Sequence, residues 1–351
     1  MGASDLARRD FLKRSLVAGT GAVLASNWLT ATAPFAEARR RHNHDARAQR
    51  TTQWSNTSAG CLIGGHALPR AGESTQRAST LFLEGELGWT LGVFRRYSYW
   101  DEPPPDRTHQ WAADGGRIPY ISWHAYTRNH TPTPWGAIAA GQQDAYIYEV
   151  GQRLATFGHP IYFSFHHEPE NDPSNGSPAE FAAAFERVRS VMDASGASNL
   201  TWVCTLMGTT YRGTHGGADA WLPAPNSYHL VGSDGYNRWP IISKPAWRSF
   251  AELFTAAHQK SVELNKGLFV GEFGCVEQTE GYSAGDPMAK ADWFQGAADT
   301  VRAWGNVEAM CYSHAEATFQ GHVMPYWIDS SASSLASFSD VGRSNDFLTA
   351  L

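Results

Sequence analysis

From residue 61 onward, short apolar runs alternate with longer amphipathic stretches, the pattern of buried strands separated by covering helices. Eight runs read as strands: 61–65, 91–95, 118–124, 161–167, 200–206, 230–236, 268–273 and 307–313. Their starts recur about every 35 residues, enough for strand, loop, helix and return. The helices carry their own punctuation. Ser177-Pro178-Ala179-Glu180 sets Ser at the N-cap, Pro at N1 and Glu at N3 of a helix running to Ala194. Phe181, Phe185, Val188 and Met192 fall on one face of it, and Gly196 closes it. Stretches 244–266 and 290–304 behave alike, ending before Gly267 and Gly305, and 330–351 reads as the closing eighth helix.

Eight parallel strands wound one way suit a closed α/β barrel, the (β/α)8 or TIM barrel, in a single domain. An open doubly wound sheet fits less well, because no Gly-rich phosphate loop follows the first strand; Gly64-Gly65 is too short to be one.

The chain ahead of the first strand reads differently. Arg8-Arg9-Asp10-Phe11-Leu12-Lys13 precedes a weakly apolar, Gly/Ala-rich stretch at 16–29, the pattern of a twin-arginine export signal. An amphipathic N-terminal helix is the alternative. About fourteen residues broken by Gly19, Gly21 and Asn27 are too few and too polar for a stable membrane span. Ala36-Glu37-Ala38 offers a cleavage site, so 1–38 is expected to be a signal peptide, 39–60 a polar lead-in and 61–351 the barrel domain of a secreted, extracellular or cell-wall-associated protein. With no cysteine before Cys61, a lipoprotein anchor has nothing to attach to.

Without residues 1–38 the net charge is about −7, which argues against nucleic acid or an anionic membrane as partner. A monomer is the expectation. Fourteen Trp and thirteen Tyr suit a site where aromatic rings stack on the apolar faces of sugars, although core packing accounts for most such residues. Cys61, Cys204, Cys275 and Cys311 are widely spaced, three of them inside strand-like runs, and read as buried thiols ahead of disulfides.

In a barrel of this kind the chemistry gathers at the C-terminal ends of the strands. The fourth run ends Phe165-His166-His167-Glu168-Pro169-Glu170 and the seventh ends Val270-Gly271-Glu272-Phe273-Gly274. Either glutamate alone reads equally well as half of a surface salt bridge. Both together, on strands across the barrel mouth from one another, are what glycoside hydrolysis requires: an acid to protonate the leaving oxygen and a carboxylate to attack the anomeric carbon, about 5–5.5 Å apart in retaining enzymes. Glu168 must then stay protonated near neutral pH, which burial and the charge of Glu272 both favour, and Glu272 must stay ionised.

His-Glu at strand four, Asp234-Gly235-Tyr236-Asn237 at strand six, Gly-Glu-Phe-Gly at strand seven and Ser122-Trp123-His124 at strand three together resemble glycoside hydrolase family 26. The resemblance spans nearly all of the chain after residue 38. It implies a clan of retaining barrels with acid/base on strand four and nucleophile on strand seven, no metal or other cofactor, and most often endo-β-1,4-mannanase activity, with some members cleaving mixed-linkage β-glucan or β-1,3-xylan. Carried over by position, Glu168 matches the acid/base, Glu272 the nucleophile and Tyr236 a tyrosine that bonds the nucleophile. His167 and His124 match residues around the attacked sugar, Trp239 and Trp123 are stacking candidates, and His314 stands at strand eight where a tryptophan is usual. Strict alternation puts His167 opposite Glu168, so its role requires a bulge at the strand end. Family members commonly have Met-Asn-Gly after the acid/base, where this chain has Pro169-Glu170-Asn171. That departure and the one at His314 are expected on substrate-facing loops, where they bear on the sugar and leave the reaction type alone.

Other chemistries find less footing. His166-His167 invites a metal, yet strand one supplies a single histidine and the chain has no H-E-x-x-H. Asp172, Asn175 and Asp286 offer loop oxygens to calcium without the spacing of an EF-hand. Asp234 faces inward with Tyr236, to brace the site or to hydrogen-bond inside the barrel, and one of Arg95 and Arg96 is expected to reach the site or pair with a carboxylate. A carbohydrate-binding barrel that has lost its chemistry is the rival class of function, set apart by binding without hydrolysis.

Overall fold

The computed structural model describes residues 60–350 except 71, 243–246 and 278–288. The export signal assigned to 1–38, and all but the last residue of the 39–60 lead-in, lie outside the described residues, as does Asp286. Strands β1 (Cys61–Ala67), β2 (Val93–Ser98), β3 (Ile118–Trp123), β4 (Ile161–Phe165), β5 (Leu200–Met207), β6 (Leu230–Asn237), β7 (Gly267–Cys275) and β8 (Val307–His314) pair in chain order, all parallel. β8 returns to β1, from Leu62↔Ala309 to Ala67↔His314, and closes the barrel.

Alternation along these strands sorts the apolar side chains into two layers. Leu62, Val93, Tyr120, Tyr162, Val203, Leu230 and Phe269 fill the barrel interior with Ala309 and Cys311. Their neighbours, among them Ile63, Ile121, Phe163, Cys204, Val231 and Val270, face outward into a larger layer that the helices cover. Gly64 is required where β1 meets β2: a Cβ there would lie 2.1 Å from the Val93 carbonyl oxygen. All four cysteines are buried and free, as the sequence pattern favoured.

The helices are α1 (Gln76–Leu87), α2 (Arg107–Asp114), α3 (Trp135–Ala139), α4 (Asp144–Phe157), α5 (Pro178–Ala194), α6 (Gly208–Tyr211), α7 (Phe250–Glu263), α8 (Lys290–Trp304) and α9 (Ala332–Arg343). The capping box read at Ser177 and Glu180 is present at the start of α5. The stretch read as helical from 244 starts later, at Phe250, because Ser249 and Glu252 form a second capping box that satisfies the first free amides there. The final stretch is helical only over α9; the chain then returns as β11 (Phe347–Leu348) to pair with β1. An unanticipated antiparallel hairpin, β9 (Glu316–Phe319) and β10 (His322–Pro325), follows β8. It turns through Gln320 and Gly321, both at positive φ (51° and 78°). No helix among the described residues is long and apolar enough to cross a membrane.

Replacing Ser249 by alanine removes the acceptor for the Glu252 amide. It should cost about 1 kcal/mol, read as a lower midpoint in urea denaturation, with Ser249→Asp near the parent; an unchanged midpoint for the alanine variant would show that the cap contributes nothing.

Candidate active site

Glu272 enters the barrel through an irregularity. From the inward Phe269, strict alternation would turn Phe273 inward and Glu272 outward. The pairing of β6 with β7 instead skips from Ser233↔Val270 to Asp234↔Glu272, leaving Gly271 as an extra residue, and Phe273 packs in the outer layer. The bulge needs a glycine, since a Cβ on Gly271 would stand 2.6 Å from an Asp234 carboxylate oxygen. Glu272 therefore points into the top of the barrel, where its carboxylate is 8% exposed as a residue and held on both oxygens.

Its chief partner is Arg95 on β2, fully buried, which donates to Glu272 Oε1 at 2.6 Å and to the Ser122 hydroxyl at 3.1 Å. The guanidinium lies over the rings of Tyr97 and Tyr120, 4.6 and 4.3 Å from their centres. Tyr97 donates to the same Oε1 at 2.5 Å, His167 Nε2 stands 3.4 Å from it, and the Tyr236 hydroxyl donates to Oε2. Burial by itself would raise this carboxyl, but Arg95, His167 and Tyr236 outweigh it and hold Glu272 well below the usual carboxylate range. Of the two arginines, then, Arg95 reaches the site and Arg96 pairs with Asp106 outside it. Tyr97 was not singled out in the sequence, although it sits two residues beyond Arg95 and so shares its face of β2.

Glu168 arrives by a different irregularity. β4 ends at Phe165, and His166 and Glu168 both take left-handed backbone, each with φ 48°, an uncommon state for residues other than glycine. The broken alternation supplies what a bulge was expected to supply. His167 turns in toward Glu272, while one polar atom each from His167, Glu168 and Asp234 lie within 4.8 Å of one another. Burial, then the charges of Glu272 and Glu170, raise the Glu168 carboxyl to about 8. Asn171 donates to its Oε2 at 2.8 Å. Asp234 is also pushed up, by burial and then by Glu272. The two glutamates thus share one cleft with opposite proton preferences.

His124 reaches this cleft, its ring 4.7 Å from that of His167, and burial lowers it well below the usual imidazole range, so it is neutral near pH 7. Trp239 lies just past β6, half-buried and edge-on to Trp247. Two expectations give way to packing. Trp123 is fully buried in the outer layer, stacked at 4.3 Å on Trp100 with its indole nitrogen donating to the Tyr99 carbonyl, so no ring face is open to a sugar. His314 is 3% exposed and accepts the Ile328 amide through Nδ1, which turns it into the loop after β8. The departure at Glu170 likewise does not face substrate: its Oε1 accepts the Met207 amide at the end of β5, and burial raises its carboxyl to about 7.

A metal at His124, His166 and Asp172, whose ligand atoms lie within 4.8 Å of one another, meets a chemical obstacle. His166 Nδ1 accepts the Ala125 amide at 3.0 Å, so its proton sits on Nε2 and goes to Asp172 at 2.9 Å, leaving no lone pair for a cation. Asn175, the other described calcium candidate, is buried and donates its amide to the carbonyls of Ala125 and Thr133.

No family profile matches the chain. Among curated proteins, Endoglucanase H of Acetivibrio thermocellus is 26% identical over 267 residues, covering 70% of this chain but only 26% of that protein's own length. Among solved structures, a family 26 β-mannanase from Bacteroides ovatus superposes with a TM-score of 0.57 at 15% identity, over 90% of this chain and 95% of that one. The chain resembles glycoside hydrolase family 26. A modular endo-β-1,4-mannanase of that family from Cellulomonas fimi gives 0.57 at 17% identity over 83% of this chain and 72% of its own. The catalytic domain of a family 26 endo-β-1,4-mannanase from Bacillus sp. JAMB-750 gives 0.57 at 13% identity, over 84% and 88%. These relatives are glycoside hydrolases by name, and the barrel of family 26 is the barrel found here.

Because Arg95 is buried with its charge satisfied chiefly by Glu272, Arg95→Met should destabilise the fold by about 3–5 kcal/mol in urea denaturation. It should also raise the Glu272 carboxyl, moving the acidic limb of any activity profile to higher pH. Parent-like stability together with a parent-like acidic limb would overturn the role given to the pair.

Proposed function

We propose that this chain is an exported retaining glycoside hydrolase that cleaves β-linked polysaccharide by double displacement, with Glu168 as acid/base and Glu272 as nucleophile. One observation carries the reading: two glutamates in one cleft, the buried Glu272 held ionised by Arg95, Tyr97, Tyr236 and His167 and the half-buried Glu168 held protonated by loss of solvation and by its neighbour. In the first step Glu168 gives its proton to the glycosidic oxygen as a Glu272 oxygen forms a bond to the anomeric carbon, and the bond between that carbon and the glycosidic oxygen breaks to release the departing sugar as an alcohol. Oε2 accepts a single hydrogen bond, from Tyr236, against the two hydrogen bonds and the histidine contact at Oε1, which leaves Oε2 the less crowded attacking atom. In the second step Glu168, now a carboxylate, takes a proton from water, whose oxygen displaces Glu272 and restores the starting configuration. Export rests on the twin-arginine pattern of residues 8–13.

The β-1,4-mannan backbone is the substrate the structural neighbours favour, since those named are mannanases. The sequence relative is named an endoglucanase, which favours β-glucan as the second choice. Incubation with mannan, glucomannan, lichenan and β-1,3-xylan, followed by product analysis, separates them; binding to any of these without hydrolysis would support the non-catalytic barrel instead.

Glu272→Ala should lower kcat by a factor on the order of 10⁴. With an activated aryl β-glycoside, azide should restore turnover of Glu272→Ala and yield the α-glycosyl azide, whereas Glu168→Ala with azide should yield the β-azide. The opposite pairing of variant and anomer would exchange the two roles. The first product seen by NMR in the parent should be the β-anomer, and an α-anomer would reject double displacement.

The pH profile follows from the same two carboxyls. Glu168 works protonated, so activity should fall as pH rises through about 8. Glu272 works ionised and is depressed, so activity should persist into acid and fall only as pH drops below the ordinary carboxylate range. Tyr236→Phe removes one of the bonds that hold Glu272 ionised and should move the acidic limb upward, and an unmoved limb would reject that bond.

A further inference from the structure

The β9–β10 hairpin stands beside the cleft and has no part in the chemistry above. Its register pairs Phe319 with His322 and Ala317 with Met324, so these four side chains share a face. Met324 is fully buried, which makes this the face turned toward the barrel, yet Phe319 remains 36% exposed. Against it lies Arg238, the residue after β6, with its guanidinium carbon 3.9 Å from the centre of the Phe319 ring and 4.9 Å from that of Tyr236. Tyr236 bonds Glu272, and its ring packs 4.8 Å from that of Tyr326, which the chain delivers just after β10. Contacts therefore run without a break from Glu272 through Tyr236 and Arg238 to an exposed aromatic ring.

Among the described residues Arg238 makes no ion pair; its Nε is buried without a hydrogen-bond partner, and its guanidinium hydrogen-bonds the side chain of Tyr326. A guanidinium against one face of Phe319 steadies the ring and leaves its other surface open, and the terminal N–H groups not taken by Tyr326 remain to donate to hydroxyls. A pyranose offers both complements, an apolar C–H face and a rim of hydroxyls.

We infer that Phe319 and Arg238 form a sugar-binding wall at the mouth of the cleft, which takes a neutral pyranose of the same glycan chain beyond the sugar under attack. Phe319 supplies the stacking face and Arg238 the donor, and the hairpin sets how far the glycan is gripped beyond the reacting bond. The inference rests on the glycoside hydrolase reading. Continuity of the wall with the Glu272 cluster is what assigns it to the substrate.

The test uses the full chain carrying Glu272→Gln, so that bound sugar is not turned over, titrated calorimetrically with mannohexaose, cellohexaose, a mixed-linkage β-glucan hexaose and β-1,3-xylohexaose. For whichever hexaose binds, adding Phe319→Ala should weaken affinity about tenfold, and Phe319→Tyr should restore it to within about twofold. Val323→Ser, on the opposite, solvent-facing side of the hairpin, should leave affinity unchanged, which separates loss of the ring from loss of the hairpin. In the active enzyme Phe319→Ala should raise KM for the hexaose more than it lowers kcat. If a hexaose is bound and cleaved and Phe319→Ala binds it as tightly as the parent, the wall is wrong and the hydrolase reading stands. If no hexaose is bound and no polysaccharide cleaved, the hydrolase reading falls and takes the wall with it.

Discussion

The ion pair between Arg95 and Glu272 is the constraint around which the upper barrel is arranged. A carboxylate and a guanidinium, both almost wholly removed from water, would together cost many kcal/mol if either lacked partners. Several inward groups at this level answer that demand. Tyr97, His167 and Tyr236 reach the carboxylate, Ser122 and the faces of Tyr97 and Tyr120 receive the guanidinium, and Gly271 gives up its side chain so that Glu272 can turn inward. Such a cluster adds little net stability over a well-packed apolar core. What it fixes is the position and charge of one carboxylate.

With that charge fixed, the neighbouring acids adjust to it. Glu168, Glu170 and Asp234 are all pushed upward, chiefly by burial, and Glu272 adds to the shift of Glu168 and Asp234. The charge of Glu272 is matched by one buried arginine, and the surrounding carboxyls are all shifted toward their protonated forms. His66, lowered to about 3, and His124 are neutral near pH 7, so both imidazoles enter the cleft as uncharged donors and acceptors.

The sequence made the barrel legible because parallel strands buried on both faces leave continuous apolar runs, and because capping residues such as Ser177 and Glu180 mark helix starts by local chemistry. The two glutamates were legible as the polar residues that end such runs. Where alternation fails, legibility failed with it. The bulge at Gly271 and the left-handed backbone at His166 and Glu168 decide which way Glu272 and His167 point, and neither is written in a period of two. Trp123 looked like a stacking ring because it borders the site in the chain, but its place on the outer face of β3 commits it to Trp100. His314 and Glu170 looked like substrate contacts for the same reason, and each is drawn inward by an unpaired backbone amide, that of Ile328 or Met207. Tyr97 was recoverable from parity with Arg95.

The four buried thiols bear on where such a molecule can fold. No disulfide contributes to the barrel, and burial pushes the thiols of Cys61, Cys204, Cys275 and Cys311 upward, away from the reactive thiolate. The packing that positions Glu168 and Glu272 is therefore indifferent to redox poise. The same structure can be completed in a reducing compartment, with no oxidative step to follow, and keep its form in an oxidising one.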